Sequence, residues 1–269
     1  MSLAPPEAEG PLRRERLRTA RLYFVCDARP HGEDPGALLR AALNGGVDIV
    51  QLREKELGRD EIERSAQTFR RLCDTYSALF IVNDDPDLAQ SCDADGVHVG
   101  QDDMPAEEAR EILGPEMIIG LSTHSKEQIA AAGGGPGQAD QGSRASRSLA
   151  PAALERGVLP TRATEDADMR RPGTSSGVDY VSVGPIWETP TKAGRPGVGL
   201  GLVEHAAANA PHPFFAIGGV DPSNAAQVVA AGAQRLGVVR AIRDADEPAA
   251  AAAALRAALA PLGEEAPGA

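Results

Sequence analysis

Residues 180–194 read YVSVGPIWETPTKAG, and the change of character inside this stretch decides the fold. Tyr180-Val181-Ser182-Val183 is short, nearly continuous and apolar, the composition of a buried strand. It runs straight into a loop that carries Thr189, Thr191 and Lys192. Two hydroxyls and an ammonium just past a strand end donate hydrogen bonds and bring positive charge, which is what an anionic ligand requires. Other strand ends along the chain are dressed in the same way.

Working outward, seven further runs share the composition of 180–183: Leu22–Cys26, Asp48–Leu52, Leu79–Val82, Gly96–Val99, Met117–Leu121, Pro213–Ile217 and Arg235–Val239. Continuous aliphatic runs are the pattern of strands covered on both faces in a parallel sheet. Between them lie helical segments. In Asp60–Tyr76, for example, Ile62, Phe69 and Leu72 fall on one face. Pro222–Gly232 reads as a helix capped by Asp221 and stopped by a glycine. Eight β and α units in alternation predict a single α/β domain, a closed (β/α)8 TIM barrel over residues 21–262. Residues 1–20 form an N-terminal extension whose helix, Pro11–Ala20, is expected to cover the barrel floor, and 263–269 are expected to be a frayed tail.

One interval breaks the rhythm. Leu121 to Tyr180 is far longer than the other strand-to-strand intervals, and the excess is concentrated in residues 133–177. That stretch lacks aromatics and is rich in Gly, Pro, Ser, Arg and Ala, with one short helical turn readable at Ala150–Val158. Its composition buries too little apolar surface to offset the entropy of ordering, so it reads as a largely disordered low-complexity insertion between the fifth helix and the sixth strand. Barrels accept such loops cheaply, and a tolerated surface insertion is the plain reading.

Composition narrows function. Of 269 residues, 42% are hydrophobic and only 3% aromatic, which suits a core of Val, Ile, Leu and Ala. A net charge of −12 argues against nucleic acid or an anionic membrane as partner, since both demand basic surfaces. It leaves room for a phosphorylated small molecule, which needs only a local basic patch. Cys26, Cys73 and Cys92 are widely spaced without a CxxC and read as reduced, mostly structural thiols. A Pro/Glu/Arg-rich N-terminus and the lack of any long apolar run predict a cytoplasmic protein with no membrane segment.

The strand ends carry the chemistry. Strand two ends Gln51-Leu52-Arg53-Glu54-Lys55, and a period of two puts Gln51, Arg53 and Lys55 on one side. Two cations and an amide on one ligand suit a diphosphate. Strand three ends Asn83-Asp84-Asp85 and strand four ends Gln101-Asp102-Asp103. Carboxylates from adjacent strand ends would repel, and a shared Mg2+ is the natural reason for them to converge. Strand five ends Ser122-Thr123-His124, strand seven Gly218-Gly219-Val220, and strand eight Val239-Arg240. Loops after strands seven and eight are the usual barrel phosphate site, where glycine allows close backbone approach.

QLREK (51–55), NDD (83–85), DGVHVGQDD (95–103), GLSTHS (120–125), GPIWETPTK (184–192), AIGGV (216–220) and GVVRAI (237–242) together resemble the thiamine-phosphate synthase family, in the family's order from Leu22 to Ile242 apart from the insertion. The resemblance implies an enzyme that joins hydroxymethylpyrimidine diphosphate to a thiazole phosphate. It implies that Gln51, Arg53, Lys55, Asn83, Ser122 and Lys192, with Leu52 and Glu54 inside the first motif, hold the pyrimidine diphosphate. Arg53, Lys55, Ser122 and Lys192 would carry catalysis. Asp84 and Asp103 would ligate Mg2+. Thr189, Pro190, Thr191 and Gly219, with the Val239-Arg240 backbone, would hold the thiazole phosphate. The family often has serine where this chain has Arg240. A homodimer is also expected.

Plainer readings stand beside these. Lys55-Glu56 is an ordinary charge run if taken alone, and Asp102-Asp103 an ordinary solvated turn. His98 reads as a core or rim histidine, His124 as a loop donor, and Trp187 as either a lid residue or loop packing. Two further function classes remain: an isomerase acting on a thiazole phosphate carboxylate, and a non-catalytic phosphometabolite-binding barrel. The first would lack parts of the diphosphate and metal set, and the second would show broken strand-end motifs.

Overall fold

The computed structural model describes residues 9–134, 177–189 and 196–259. Eight parallel strands close in sequence order, β8 pairing back onto β1. They are β1 (Leu22–Cys26), β2 (Ile49–Leu52), β3 (Leu79–Asn83), β4 (Gly96–Val99), β5 (Ile118–Thr123), β6 (Tyr180–Val183), β7 (Phe214–Ile217) and β8 (Leu236–Val238). The helices are α1 (Glu9–Thr19), α2 (Gly36–Asn44), α3 (Arg59–Tyr76), α4 (Pro86–Ser91), α5 (Ala106–Leu113), α6 (Lys126–Ala131), α7 (Leu200–Asn209), α8 (Ala225–Ala230), α9 (Arg240–Arg243) and α10 (Pro248–Ala258). The predicted (β/α)8 barrel is therefore the architecture found. Most of the insertion, the Ala150–Val158 turn and the tail lie outside the described residues.

Several boundaries shift by a residue or more, and two of the shifts have a plain physical reason. β5 continues past Leu121 because its last two hydroxyls find partners in the barrel: Thr123 Oγ1 donates to Ser182 O at 2.9 Å, and Ser122 Oγ lies 3.0 Å from His98 Nε2. α8 starts later than the sequence predicts, with Asn224 rather than Asp221 preceding it. Asp221 is engaged in its own turn, where its carboxylate accepts from the Ser223 N–H at 2.7 Å.

Alternation along the strands divides the core in two. Phe24, Val50, Phe80, Val97 and Ile119 face outward and pack under the helices, whereas Tyr23, Ile49, Leu79, Ile81, Ile118, Tyr180 and Phe215 fill the barrel. α3 lays Ala66, Phe69, Leu72 and Cys73 against the outer layer. Cys26 and Cys73 are buried free thiols, and burial raises both, Cys73 to about 12, so they remain protonated packing groups.

The floor of the barrel is clamped by one device used three times. Asp48, Asp95 and Asp179 each precede an even-numbered strand, and each accepts the first N–H groups of the preceding odd strand. Asp48 takes Leu22 N at 2.9 Å, Asp95 takes Phe80 N at 2.8 Å, and Asp179 takes Ile119 N at 2.9 Å. Each carboxylate also pairs with arginine: Asp48 with Arg256, Asp95 with Arg13 and Arg70, Asp179 with Arg14 and Arg110. Arg13 and Arg14 come from α1, which is how the N-terminal helix is held across the floor. With the floor closed in this way, the opposite ends of the strands are left for ligands.

Candidate active site

A cavity of about 350 Å³ opens at the carboxyl ends of the strands. Its lining takes Val25 from β1, Gln51 and Arg53 from the end of β2, Asn83 from β3, Ser122 from β5, and Thr189 beyond β6. Its opposite wall is Gly218 and Gly219 after β7, and Val239 and Arg240 after β8. Eight of the predicted residues are thus brought together: Gln51, Arg53, Asn83, Ser122, Thr189, Gly219, Val239 and Arg240. Gly219 has φ +72 and its α-carbon lies against Trp187, so a side chain there would be strained and would meet the indole. Trp187 packs against the outer core, and is therefore loop packing rather than a lid.

Other predicted residues stand elsewhere. Leu52 is buried in the outer layer, pointing away from the cavity as strand alternation requires. The Glu54 carboxylate turns back to accept the N–H groups of Lys55 and Glu56, at 2.8 and 2.9 Å. Lys55 is exposed in that turn, outside the cavity lining. Pro190, Thr191 and Lys192 lie outside the described residues. Asp85 caps α4 through Leu88 N at 2.8 Å and pairs with Arg59 at 3.2 Å, so it is committed to structure.

Asp84 and Asp103 meet. Asp84 sits just after β3 with φ +64, a left-handed conformation fixed by its N–H donating to His98 O at 2.8 Å. Its carboxyl hydrogen-bonds that of Asp103, whose Oδ2 also accepts Gly100 N at 2.9 Å. Burial, then the contact and charge of Asp103, push the Asp84 carboxyl up to about 6, with Lys55 and Asn83 acting in the opposite sense. Two acidic groups held this close suit a divalent cation, which would relieve their repulsion. Among the described residues no group of three or more His, Cys, Asp or Glu is arranged to hold a metal. Two carboxylates suffice for Mg2+ when substrate oxygens and water complete the shell.

A buried polar chain runs through the wall of this cavity, where Tyr23, Gln51, His98, Ser122 and Ser182 all belong to the lining. Gln51 Nε2 donates to Tyr23 Oη at 2.7 Å; Tyr23 Oη and Tyr180 Oη are 2.8 Å apart; Tyr180 Oη lies 3.1 Å from His98 Nδ1. His98 Nε2 then reaches Ser122 Oγ at 3.0 Å and Ser182 Oγ at 3.4 Å. His98 is a core histidine, as its sequence position suggests, and His124 meets the Gly184 carbonyl as a loop group. The sequence reading missed Tyr23, Tyr180 and Ser182. The available signal was a tyrosine at an inward position of a short aliphatic strand, in a chain with only three tyrosines.

A closed (β/α)8 barrel with anion-binding groups on two walls of one terminal cavity defines an enzyme that handles phosphorylated small molecules. The model describing thiamine monophosphate synthase matches residues 22–140 and 155–242, and the chain belongs to that family. The unmatched residues 141–154 fall within the predicted insertion. The chain is 43% identical to the thiamine-phosphate synthase of Thermobifida fusca over 245 residues, 90% of this chain and 94% of the relative. It is 42% identical to that of Acidothermus cellulolyticus, over 91% of this chain and 97% of the relative. Among solved structures it resembles the thiamine phosphate pyrophosphorylase of Pyrococcus furiosus at TM-score 0.68 and 29% identity, covering 92% of this chain and 96% of that one. A 3-hexulose-6-phosphate synthase, at TM-score 0.53 and 19% identity, shares the fold.

Proposed function

We propose that this chain forms thiamine phosphate from 4-amino-2-methyl-5-hydroxymethylpyrimidine diphosphate and 4-methyl-5-(2-phosphoethyl)thiazole or its carboxylate, releasing pyrophosphate. The observation that carries the reading is the pairing of two anion-binding walls across one cavity. Arg53 and Asn83 stand on one side, with the Asp84–Asp103 pair next to Asn83 but outside the lining; Gly218, Gly219 and the Val239-Arg240 backbone stand on the other. One wall suits a metal-bound diphosphate and the other a monophosphate held by backbone N–H groups.

The chemistry that fits is a dissociative substitution. The bond between the pyrimidine methylene carbon and the diphosphate oxygen breaks, and its electron pair leaves with pyrophosphate. The thiazole nitrogen then donates its lone pair to the methylene carbon. Arg53, Lys55 and Lys192 are assigned to neutralise the charge growing on the leaving group, a task of electrostatics rather than proton transfer. Asp84 and Asp103 are assigned to hold Mg2+, which when bound supplies Lewis-acid compensation for the diphosphate. Thr189, Thr191, Gly219 and the amides at Val239-Arg240 are assigned to the thiazole phosphate. Leu52, Glu54 and Pro190 remain with this reading only as parts of the motifs that carry their neighbours.

Purified protein mixed with both substrates, with and without Mg2+, tests this. Metal-dependent appearance of pyrophosphate and thiamine phosphate together is the expected outcome. A folded protein that binds thiazole phosphate and yields neither product would refute it in favour of an isomerase or a binding barrel. Among the described residues no helix is long and apolar enough to cross a membrane. We propose a cytoplasmic location and a homodimer, which gel filtration at known concentration would check.

A further inference from the structure

We infer that Tyr23, Tyr180 and His98 are positioning residues whose one-way chain of hydrogen bonds makes Gln51 present an acceptor, and Ser122 a donor, to the ring bound above them. The inference deepens the proposed function and rests on it for the identity of that ring.

The direction follows from counting hydrogens. The Gln51 amide nitrogen can only donate, so Tyr23 Oη accepts from it, at 2.7 Å. Both phenols are fully buried and stay neutral, each with a single hydrogen to give. Tyr23's hydrogen then has Tyr180 Oη as its acceptor, and Tyr180's has His98 Nδ1, the arrangement that leaves neither buried hydrogen unpaired. With Nδ1 accepting, the imidazole hydrogen sits on Nε2 and points at Ser122 Oγ, 3.0 Å away. Ser182 Oγ donates to the same Ser122 oxygen at 3.5 Å. Ser122 receives from two sides, and its own hydrogen is free for a ligand. At the other end Gln51 Oε1 has no partner among the described residues.

The neighbourhood holds this chain in place. Phe215 meets Tyr23 and Tyr180 edge-on, at ring separations of 5.2 and 5.6 Å. A Cβ on Gly120 would lie 2.1 Å from the Tyr180 ring and 2.5 Å from His98 Nδ1, so the glycine leaves room for that contact. Polar groups kept only for packing could end on backbone atoms. This chain ends on Gln51 and Ser122, and both line the cavity, as do Tyr23, His98 and Ser182 along it.

An acceptor and a donor fixed in this order complement an amino group and an unprotonated ring nitrogen. That is the pattern of a 4-aminopyrimidine. The 4-oxo analogue reverses it, offering a carbonyl and a ring N–H, and would leave buried polar groups facing like partners.

The test has two arms on the full-length protein. In the first, 15N NMR of the resting wild type reads the His98 ring: the neutral Nε2–H tautomer is expected, while an Nδ1–H tautomer or an imidazolium overturns the inference. This arm needs no turnover, so it stands apart from failure of the synthase reading. In the second, kcat/KM is compared for the 4-amino and 4-oxo pyrimidine diphosphates. We expect the wild type to prefer the amino compound by about a hundredfold or more and Tyr180→Phe to lose most of that preference, with KM for thiazole phosphate unchanged. Tyr23→Phe should give the same result, and the double variant should lose no more than either single one, since one chain is broken once. Undiminished discrimination in both variants, or an equal rise in KM for both substrates, overturns the inference.

Discussion

Replacing Asp84 with asparagine should stabilise the metal-free protein while abolishing its response to magnesium. The Asp84 carboxyl is raised from its ordinary 3.8 to about 6, chiefly by burial and then by the contact and charge of Asp103. An acid with a raised folded pKa is fully accommodated below its unfolded value. Stability is then lost as pH rises through about 6, where the folded chain must hold a charge that the unfolded chain holds freely. At about 1.4 kcal/mol per tenfold, the upper bound is near 3 kcal/mol. Asp84 is only half-buried and Asp103 is exposed, so solvent screening reduces this to about 1–2 kcal/mol. Asparagine tolerates the left-handed backbone at this position, so little is lost by the exchange itself. Thermal melts in a chelator should show Asp84→Asn about 2–6 °C above wild type near pH 8. The gap should narrow steadily below about pH 6 and close only toward the unfolded pKa of 3.8. Magnesium should then raise the wild-type midpoint and leave the variant unmoved. A variant less stable than wild type near pH 8, or one whose advantage does not narrow below about pH 6, would refute the account of Asp84 and Asp103 as a repelling pair.

Four further outcomes are expected. Lys192→Ala should lower kcat by about a hundredfold or more in steady-state assays if the ammonium acts on the departing pyrophosphate, and an unchanged kcat would remove that role. Arg53→Ala should raise KM for the pyrimidine diphosphate about tenfold or more and spare KM for thiazole phosphate, because Arg53 stands on one wall only. Gly120→Ala should displace Tyr180 and His98 and destabilise the chain by about 1–3 kcal/mol, read by chemical denaturation. Asp179→Asn should destabilise by about 2–4 kcal/mol, read by chemical denaturation, since it weakens pairing with Arg14 and Arg110.

The barrel is legible in the sequence because each strand is covered on both faces and therefore appears as an aliphatic run. Leu22–Cys26, Gly96–Val99 and Tyr180–Val183 agree residue for residue with the strands formed. Strand five is the exception: Ser122 and Thr123 look like loop residues until the neighbouring strand supplies their partners. Half of the cavity is legible for the same reason, since alternation at a strand end tells which of Gln51, Leu52 and Arg53 faces in. Lys55 escapes that rule because the chain has already turned, under the grip of Glu54. Tyr23 and Tyr180 are masked by the same aliphatic runs that mark the strands. Counted as bulky members of a continuous run, they look like core, and only the closing of β1 and β6 around one interior brings their hydroxyls within 2.8 Å. The floor aspartates carry no local mark, because Asp95 and Asp179 meet arginines distant in sequence.

The third clamp has a consequence for how this family can vary. Asp179 fastens β6 to the start of β5, and the Gly177 carbonyl accepts from Arg110 at 2.9 Å, so the chain is gripped as soon as it returns to the barrel. On the outgoing side, the Ala132 carbonyl lies 3.0 Å from His212 Nε2. For any length of polypeptide between these two anchors, the register of β6, and with it Tyr180 and Ser182, is held by its pairing with β5 and β7 as well as by the anchors. Loop closure then adds only about 0.6 kcal/mol for each doubling of that length. A change in the length of chain between Gly134 and Gly177 is therefore expected to leave β6 in register with β5, because the residues that hold it, Asp179 and Gly177, follow that interval.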